Sequence, residues 1–237
     1  MTPSAPLSVP ALLSRVEASA SRLIDLKGTA LVSASLHDQR GRADTRIFFR
    51  HPDQLKVVVD GPFGQVIAVI AVQGETVQFY LPLQNAVFEG TVEDRLDRAL
   101  PGLNVRVTDI QSLIGRIDLT RYRGDRLIES RQDGDQYLLV VKDEKGRATR
   151  KIWIDANRSV VRREEEDRED GRVIVKTFDE YIRTKGLWRP SRARIVSGDG
   201  QEALTVQFYT QAVNTGLSAA DLALTLPKTV KRLPMNP

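Results

Sequence analysis

The chain has 237 residues, no cysteine, 41% hydrophobic and 28% charged residues, and a net charge of +4. Disulfide frameworks, thiolate catalysis and Cys-based metal sites are thereby excluded, and no run of about 18 apolar residues is present to span a bilayer as a helix. Acidic and basic residues are interspersed, the pattern of a solvated mixed surface and not of a nucleic-acid face, although the positive balance is compatible with weak attraction to anionic lipid.

Residues 1–9 are rich in Pro and Ser and read as a flexible tether, leaving 10–232 as a single domain. The opening MTPSAPLSVP lacks the basic and apolar segments of a signal peptide. That fits a cytoplasmic protein, or one whose leader has been removed together with a lipid-modified Cys that would anchor it. Leu12, Leu13, Val16, Ala20, Leu23 and Ile24 recur at helical spacing, predicting an amphipathic helix from Pro10 to about Lys27-Gly28.

Strand-like text follows. Thr29–His37 and Thr45–Arg50 alternate around a Gly-containing turn, and Leu55, Val57 and Val59 point to one side of the next strand. Val66–Val72 is apolar on both faces, which predicts cover on both. Val77–Leu81 and Leu83–Glu89 complete this group. Between the third and fourth strands lies Gly61-Pro62-Phe63-Gly64. Turn tips normally carry small or polar residues, so Phe63 either folds back onto the body or is displayed to an apolar partner.

Two helical pieces are predicted next, Val92–Leu100 and Val107–Ile117, the second with Ile110, Leu113, Ile114 and Ile117 on one stripe. Beyond them, seven strands are expected at 126–132, 135–142, 148–154, 159–167, 172–183, 188–196 and 203–212, with Asp-Gly or Lys-Gly turns where hairpins need them. The acidic run Glu164–Asp170 reads as the solvated end of one hairpin. Leu217–Leu226 holds a short helical turn and a last strand ended by Pro227. About ten antiparallel strands must curl. The expected fold is therefore mainly β (α+β), a curved antiparallel sheet forming a half barrel, with three amphipathic helices filling its concave side.

Catalytic signatures do not accompany this pattern. His37 and His51 lie on separate strands, Trp153 and Trp188 read as core, and HExxH, GxSxG, Walker and GxGxxG motifs do not occur. The low aromatic share of 6% means that a large cavity would be lined by Leu, Val and Ile. Binding without turnover is the simplest expectation: no enzyme, no cofactor and no metal.

Several stretches resemble a known family. Gly74-Glu75-Thr76-Val77-Gln78-Phe79-Tyr80-Leu81-Pro82 is similar to the G-x-x-Φ-x-F-Y-x-P strand of the bacterial lipoprotein carrier LolA, and Arg50-His51-Pro52-Asp53-Gln54-Leu55 to its preceding basic-Pro-x-x-Φ segment. Ala219-Ala220-Asp221-Leu222 through Leu226-Pro227 resembles that family's ending. Gly61-Pro62-Phe63-Gly64 looks closer to the outer-membrane receptor LolB, whose loop displays a Leu to the membrane. The resemblance spans Leu12 to Pro227 and rests on the order of weak motifs.

It implies an eleven-stranded half barrel with a helical lid, whose apolar cavity holds lipoprotein acyl chains or another lipid. By position it assigns Pro62 and Phe63 to membrane contact. It assigns cavity lining to Leu55, Val57, Val59, Val69, Phe79, Leu81, Phe88 and Leu139, with Leu113 and Ile114 on the lid. Each lining position reads equally as plain core. Arg50 and His51 stand where the carrier has Pro-preceding latch chemistry, with His51 in place of its Arg. The implied protein is a periplasmic, monomeric chaperone of lipid transport. It would meet the inner leaflet of the outer membrane and a periplasmic carrier protein, and would not bind nucleic acid. The alternative is a periplasmic sensor or scaffold that binds a protein partner through the same fold and its exposed strand edges.

Overall fold

Alternation with a period of two runs through most of this chain, and the computed structural model accommodates it in one curved, open sheet of 14 strands. Residues 8–36, 39–94, 105–114, 126–142, 149–168, 171–198, 200 and 202–235 are described. Helix α1 (Val9–Ser21) precedes the strands β1 (Asp25–Leu36), β2 (Gln39–Arg50), β3 (Gln54–Asp60) and β4 (Val66–Gln73). Then come β5 (Thr76–Leu81), a 3-10 turn at Pro82–Gln84, β6 (Ala86–Thr91) and helix α2 (Val107–Leu113). The second half holds β7 (Arg126–Asp133), β8 (Gln136–Lys142), β9 (Thr149–Asp155), β10 (Val160–Asp167) and β11 (Val173–Thr184). It closes with β12 (Leu187–Ser197), β13 (Glu202–Val213), α3 (Ala219–Leu222) and β14 (Lys231–Pro234).

In space the strands run β14-β6-β5-β4-β3-β2-β1-β13-β12-β11-β10-β9-β8-β7. Neighbours are antiparallel except β14, which lies parallel to β6. The long strand β1 joins the two halves, pairing with β2 on one side and β13 on the other. One cross-strand row, Gly28–Ile47–Val57–Ile70–Phe79–Phe88–Leu233, shows how the concave face is built. Leu12 and Val16 of α1 and Val107, Ile110, Leu113 and Ile114 of the α2 segment join the same buried apolar cluster. Each fully buried Phe or Leu in such a cluster contributes about 1.5–3 kcal/mol.

Several boundaries differ from expectation for identifiable reasons. The first helix ends at Ser21, not near Gly28. Gly28 lies inside β1, where a Cβ would stand 2.6 Å from the Thr210 carbonyl oxygen. Its glycine serves close strand approach beside a bulge, not helix exit. Leu83 sits in the 3-10 turn, so the strand expected from it starts at Ala86. Residues 223–227 form no strand, and the last strand is Lys231–Pro234 instead. The sheet has 14 strands where the resemblance implies eleven. Val92 lies in a turn, and the rest of the helix expected at Val92–Leu100 falls mostly outside the described residues, as does His37.

Val66–Val72 does bury both faces. Ala68, Ile70 and Val72 join the concave cluster, while Val69 and Ala71 are buried on the other side. The C-terminal return runs behind these strands, with Leu222 buried and the Lys56 ammonium donating to the Asp221 and Ala223 carbonyls. Trp153 and Trp188 are not core. Both are half-buried, and Arg163 and Arg158 stack over their rings at 5.3 and 4.9 Å.

Candidate functional site

Helix α2 is short, and its residues sort cleanly by chemistry. Val107, Ile110, Leu113 and Ile114 are buried in the apolar interior. Asp109, between them, is also buried, at 1% exposure. Its Oδ2 accepts from the Arg106 amide at 2.9 Å, closing the first turn of the helix. A carboxylate placed there needs cations, and the sheet supplies two. Arg168, just beyond β10, reaches both Asp109 oxygens at 2.8 Å, and Lys176 of β11 reaches Oδ1 at 3.1 Å.

Strand register explains how these charges meet. On β11, Ile174, Lys176 and Phe178 share the inward face, so alternation places a lysine among apolar side chains. Across the ladder Lys176 pairs with Glu164, and Glu166 pairs with Arg150. Glu164, Glu166 and Arg168 are buried, which corrects the reading of Glu164–Asp170 as a solvated hairpin end. Lys176 stands 3.7 Å from Glu164, and Arg150 stands 3.3 Å from Glu166. Together they line a polar cavity of about 100 Å³ with Glu93, Arg106 and Thr108. Four basic residues (Arg106, Arg150, Arg168, Lys176) face four acidic ones (Glu93, Asp109, Glu164, Glu166), so the lining carries no net formal charge.

The titration of these groups follows from that pairing. Burial alone would raise the Asp109 carboxyl, but Lys176 and Arg168 hold it down to about 2. Glu166 is likewise below its ordinary value: burial opposes this, and Lys176, Arg168 and Arg150 override it. Burial disfavours the charge on Lys176, yet the surrounding Glu164, Asp109 and Glu166 raise its pKa. Asp109, Glu166, Arg168 and Lys176 are therefore each held in the charged form near neutrality. Among the described residues, no group of three or more His, Asp or Glu is arranged to hold a metal ion.

A second polar tie holds the other end of α2. Arg189 of β12 is buried and donates to the Ile114 carbonyl, one of the orphan acceptors at the helix end. Its burial lowers the guanidinium to about 10, against the opposing influence of Tyr181. Arg50 and His51, the positions assigned to a latch, do not meet α2. Arg50 donates to Gln54 at 2.7 Å and to the Leu217 carbonyl at 3.2 Å, and His51 is exposed at the β2–β3 corner.

The predicted lining residues divide by face. Leu55, Val57, Phe79, Phe88 and Leu139 lie in the concave cluster with Leu113 and Ile114 of the α2 segment, and Val59 and Leu81 pack against it half-buried. Val69 does not join them. It pairs with Val58 and Tyr80 on the opposite face, one residue out of phase with Ile70. At the β3–β4 tip, Phe63 is 95% exposed and Pro62 is exposed. The turn is closed by Gly61 N–H to the Gln65 carbonyl at 2.7 Å and by Phe63 N–H to Gln65 Oε1 at 3.0 Å. Phe63 therefore does not fold back onto the body of the protein.

No family model matches the sequence, and no curated protein matches it. Solved structures do. A putative outer membrane lipoprotein-sorting protein domain from Vibrio parahaemolyticus superposes with a TM-score of 0.70 at 14% identity, covering 89% of this chain and 94% of that one. A DUF1329 family protein from Desulfovibrio piger gives 0.71 at 16% identity, covering 90% and 94%. A LolA superfamily protein from Nitrosomonas europaea gives 0.67 at 12% identity, covering 92% and 99%. The fold is LolA-like. At these identities the likeness concerns backbone architecture, so the LolA-like sheet and helices are shared while side-chain roles rest on this chain's own geometry.

Sequence reasoning missed Asp109, Glu164, Glu166, Arg168, Lys176 and Arg189. One signal was available: counting by two from Arg172 places Lys176 between Ile174 and Phe178, on the side of β11 that the ladder sets opposite Glu164. For Arg189 no local signal exists, because its acceptor is 75 residues away.

Proposed function

We propose that this LolA-like protein is a non-enzymatic carrier or receptor that accepts the acyl chains of a lipoprotein, or another lipid, between its concave sheet face and α2, and delivers them to the outer membrane. The observation that carries this reading is the two-sided character of α2. Its underside packs on the apolar interior of the sheet, while its other ties to the sheet are a small set of buried polar contacts: Asp109 to Arg168 and Lys176, and the Ile114 carbonyl to Arg189. An acyl chain entering beneath such a helix gains about 0.8 kcal/mol per buried CH₂ and needs no convergent polar groups. Leu55, Val57, Val59, Phe79, Leu81, Phe88 and Leu139 would line that space. Phe63 would touch the membrane, in the manner of the LolB-like loop it resembles. The reading places the protein in the periplasm. Among the described residues no helix is long and apolar enough to cross a membrane.

A fluorescent fatty acid titrated into the purified protein tests this, alongside native mass spectrometry of protein isolated from bacterial membranes. Saturable uptake and co-purifying acylated species are expected, and Phe63→Glu should load normally yet fail to deliver. An apo protein that takes up no fatty acid would remove the carrier reading. The second reading, a scaffold for a protein partner, is favoured by β7, which ends the sheet with Leu127 and Ile128 at 44% and 48% exposure.

A further inference from the structure

The Phe63 turn has a neighbour of the same kind. Leu83, in the 3-10 turn between β5 and β6, is 82% exposed. Strand direction puts the two turns at one end of the sheet, because β3 and β5 both finish there and β4 and β6 both begin there, with Asp60 opposite Val66 and Leu81 opposite Ala86. Two strand spacings separate the two hairpins, about 10 Å. Both tips are built to hold their shape. The Phe63 turn is closed through Gln65 as described. In the Leu83 turn, the Asn85 amide donates to the Pro82 carbonyl at 3.0 Å and its side chain to the Thr229 carbonyl at 3.1 Å.

Charge is distributed unevenly around these tips. Arg40 and Arg42 at the start of β2, and Lys228 and Lys231 beside the Leu83 turn, are exposed. Two carboxylates near the tips are already engaged, Asp60 by Arg46 and Glu89 by Arg232. Asp44 is the exposed carboxylate that accompanies the four cations among the described residues of this region.

Resting on the membrane reading above, we infer that Phe63 and Leu83 form a two-point foot that enters the interfacial layer of an anionic bilayer together. Two large apolar side chains on separate narrow tips suit a fluid apolar medium, since a folded protein partner would need a contiguous patch or groove to bury them. The basic residues match anionic headgroups around the insertion points. Two anchors also fix orientation: a single inserted Phe allows the body to swing, whereas two on adjacent hairpins hold this end of the sheet against the surface.

Co-sedimentation of the full chain with phosphatidylcholine vesicles containing about one-fifth phosphatidylglycerol tests the inference. Leu83→Glu should lower the partition coefficient about tenfold, comparably to Phe63→Glu, with a larger loss in the double variant and unchanged melting temperatures. High salt, or vesicles of phosphatidylcholine alone, should weaken binding of the unmodified chain. If Phe63→Glu weakens sedimentation while Leu83→Glu does not, the two-point foot is wrong and the proposed membrane contact at Phe63 stands. If neither substitution matters, or the unmodified chain does not sediment with vesicles, membrane contact itself is wrong. Equal binding to neutral and anionic vesicles overturns the headgroup preference. Fatty-acid uptake by Leu83→Glu should match the unmodified chain, which separates a failed foot from a failure of acyl-chain binding beneath α2.

Discussion

Asp109 and Arg168, 59 residues apart in sequence, meet through a single guanidinium nitrogen that lies 2.8 Å from both carboxylate oxygens. Their side chains are 2% and 4% exposed. The contact ties the carboxylate of α2's first turn to the end of β10, and Lys176 of β11 shares it. A buried pair of this kind gives weak net stabilisation but a large penalty when one member is removed.

Asp109→Asn should therefore destabilise the protein by about 3–5 kcal/mol, because Arg168 and Lys176 would be left buried beside a neutral amide. Urea denaturation followed by circular dichroism measures this. A loss below about 1 kcal/mol would mean that Glu164 and Glu166 neutralise both cations without Asp109.

The same carboxylate predicts a pH dependence with a definite sign. Its folded pKa of about 2 lies below the ordinary 3.8, so its ionised form favours the folded state. That contribution is complete above about pH 5, and it is lost as pH falls through 3.8 toward 2, amounting to about 2 kcal/mol. Glu166, also held below its ordinary 4.5, adds in the same window. Denaturation midpoints should be flat near neutrality and fall between about pH 5 and pH 2, with a shallower fall in Asp109→Asn. Parallel curves for the two proteins would assign the acid sensitivity to other groups.

Arg189 predicts a local effect without a global one. Its charge is buried at a cost, so Arg189→Met should change overall stability by less than about 1.5 kcal/mol, the apolar replacement offsetting the lost bond. With the Ile114 carbonyl released, amide exchange across 107–114 should accelerate about tenfold while the strands exchange as before. Unchanged exchange in α2 would mean that apolar packing alone keeps the helix in place.

The order of amino acids alone dictates the strands of the second half, from 126 to 213, because alternating side chains and Gly-containing turns are local properties that any pairing must respect. It also determined that Phe63 occupies a turn tip, since Pro62 and the flanking glycines allow little else. Helix ends were less legible: Gly28 reads as an exit signal until the Thr210 backbone is seen against it. It took the packed fold to show that Ile70's face of β4, and not Val69's, is the concave one, that Leu83 joins Phe63 at one end of the sheet, and that α2 is tied by Asp109 and Arg189 and not by Arg50 or His51. These are matters of which distant side chains share a space. A charged residue at an inward position looks like an error in a strand pattern until curvature of the sheet brings its counter-charge to it, and burial then makes that meeting energetically compulsory.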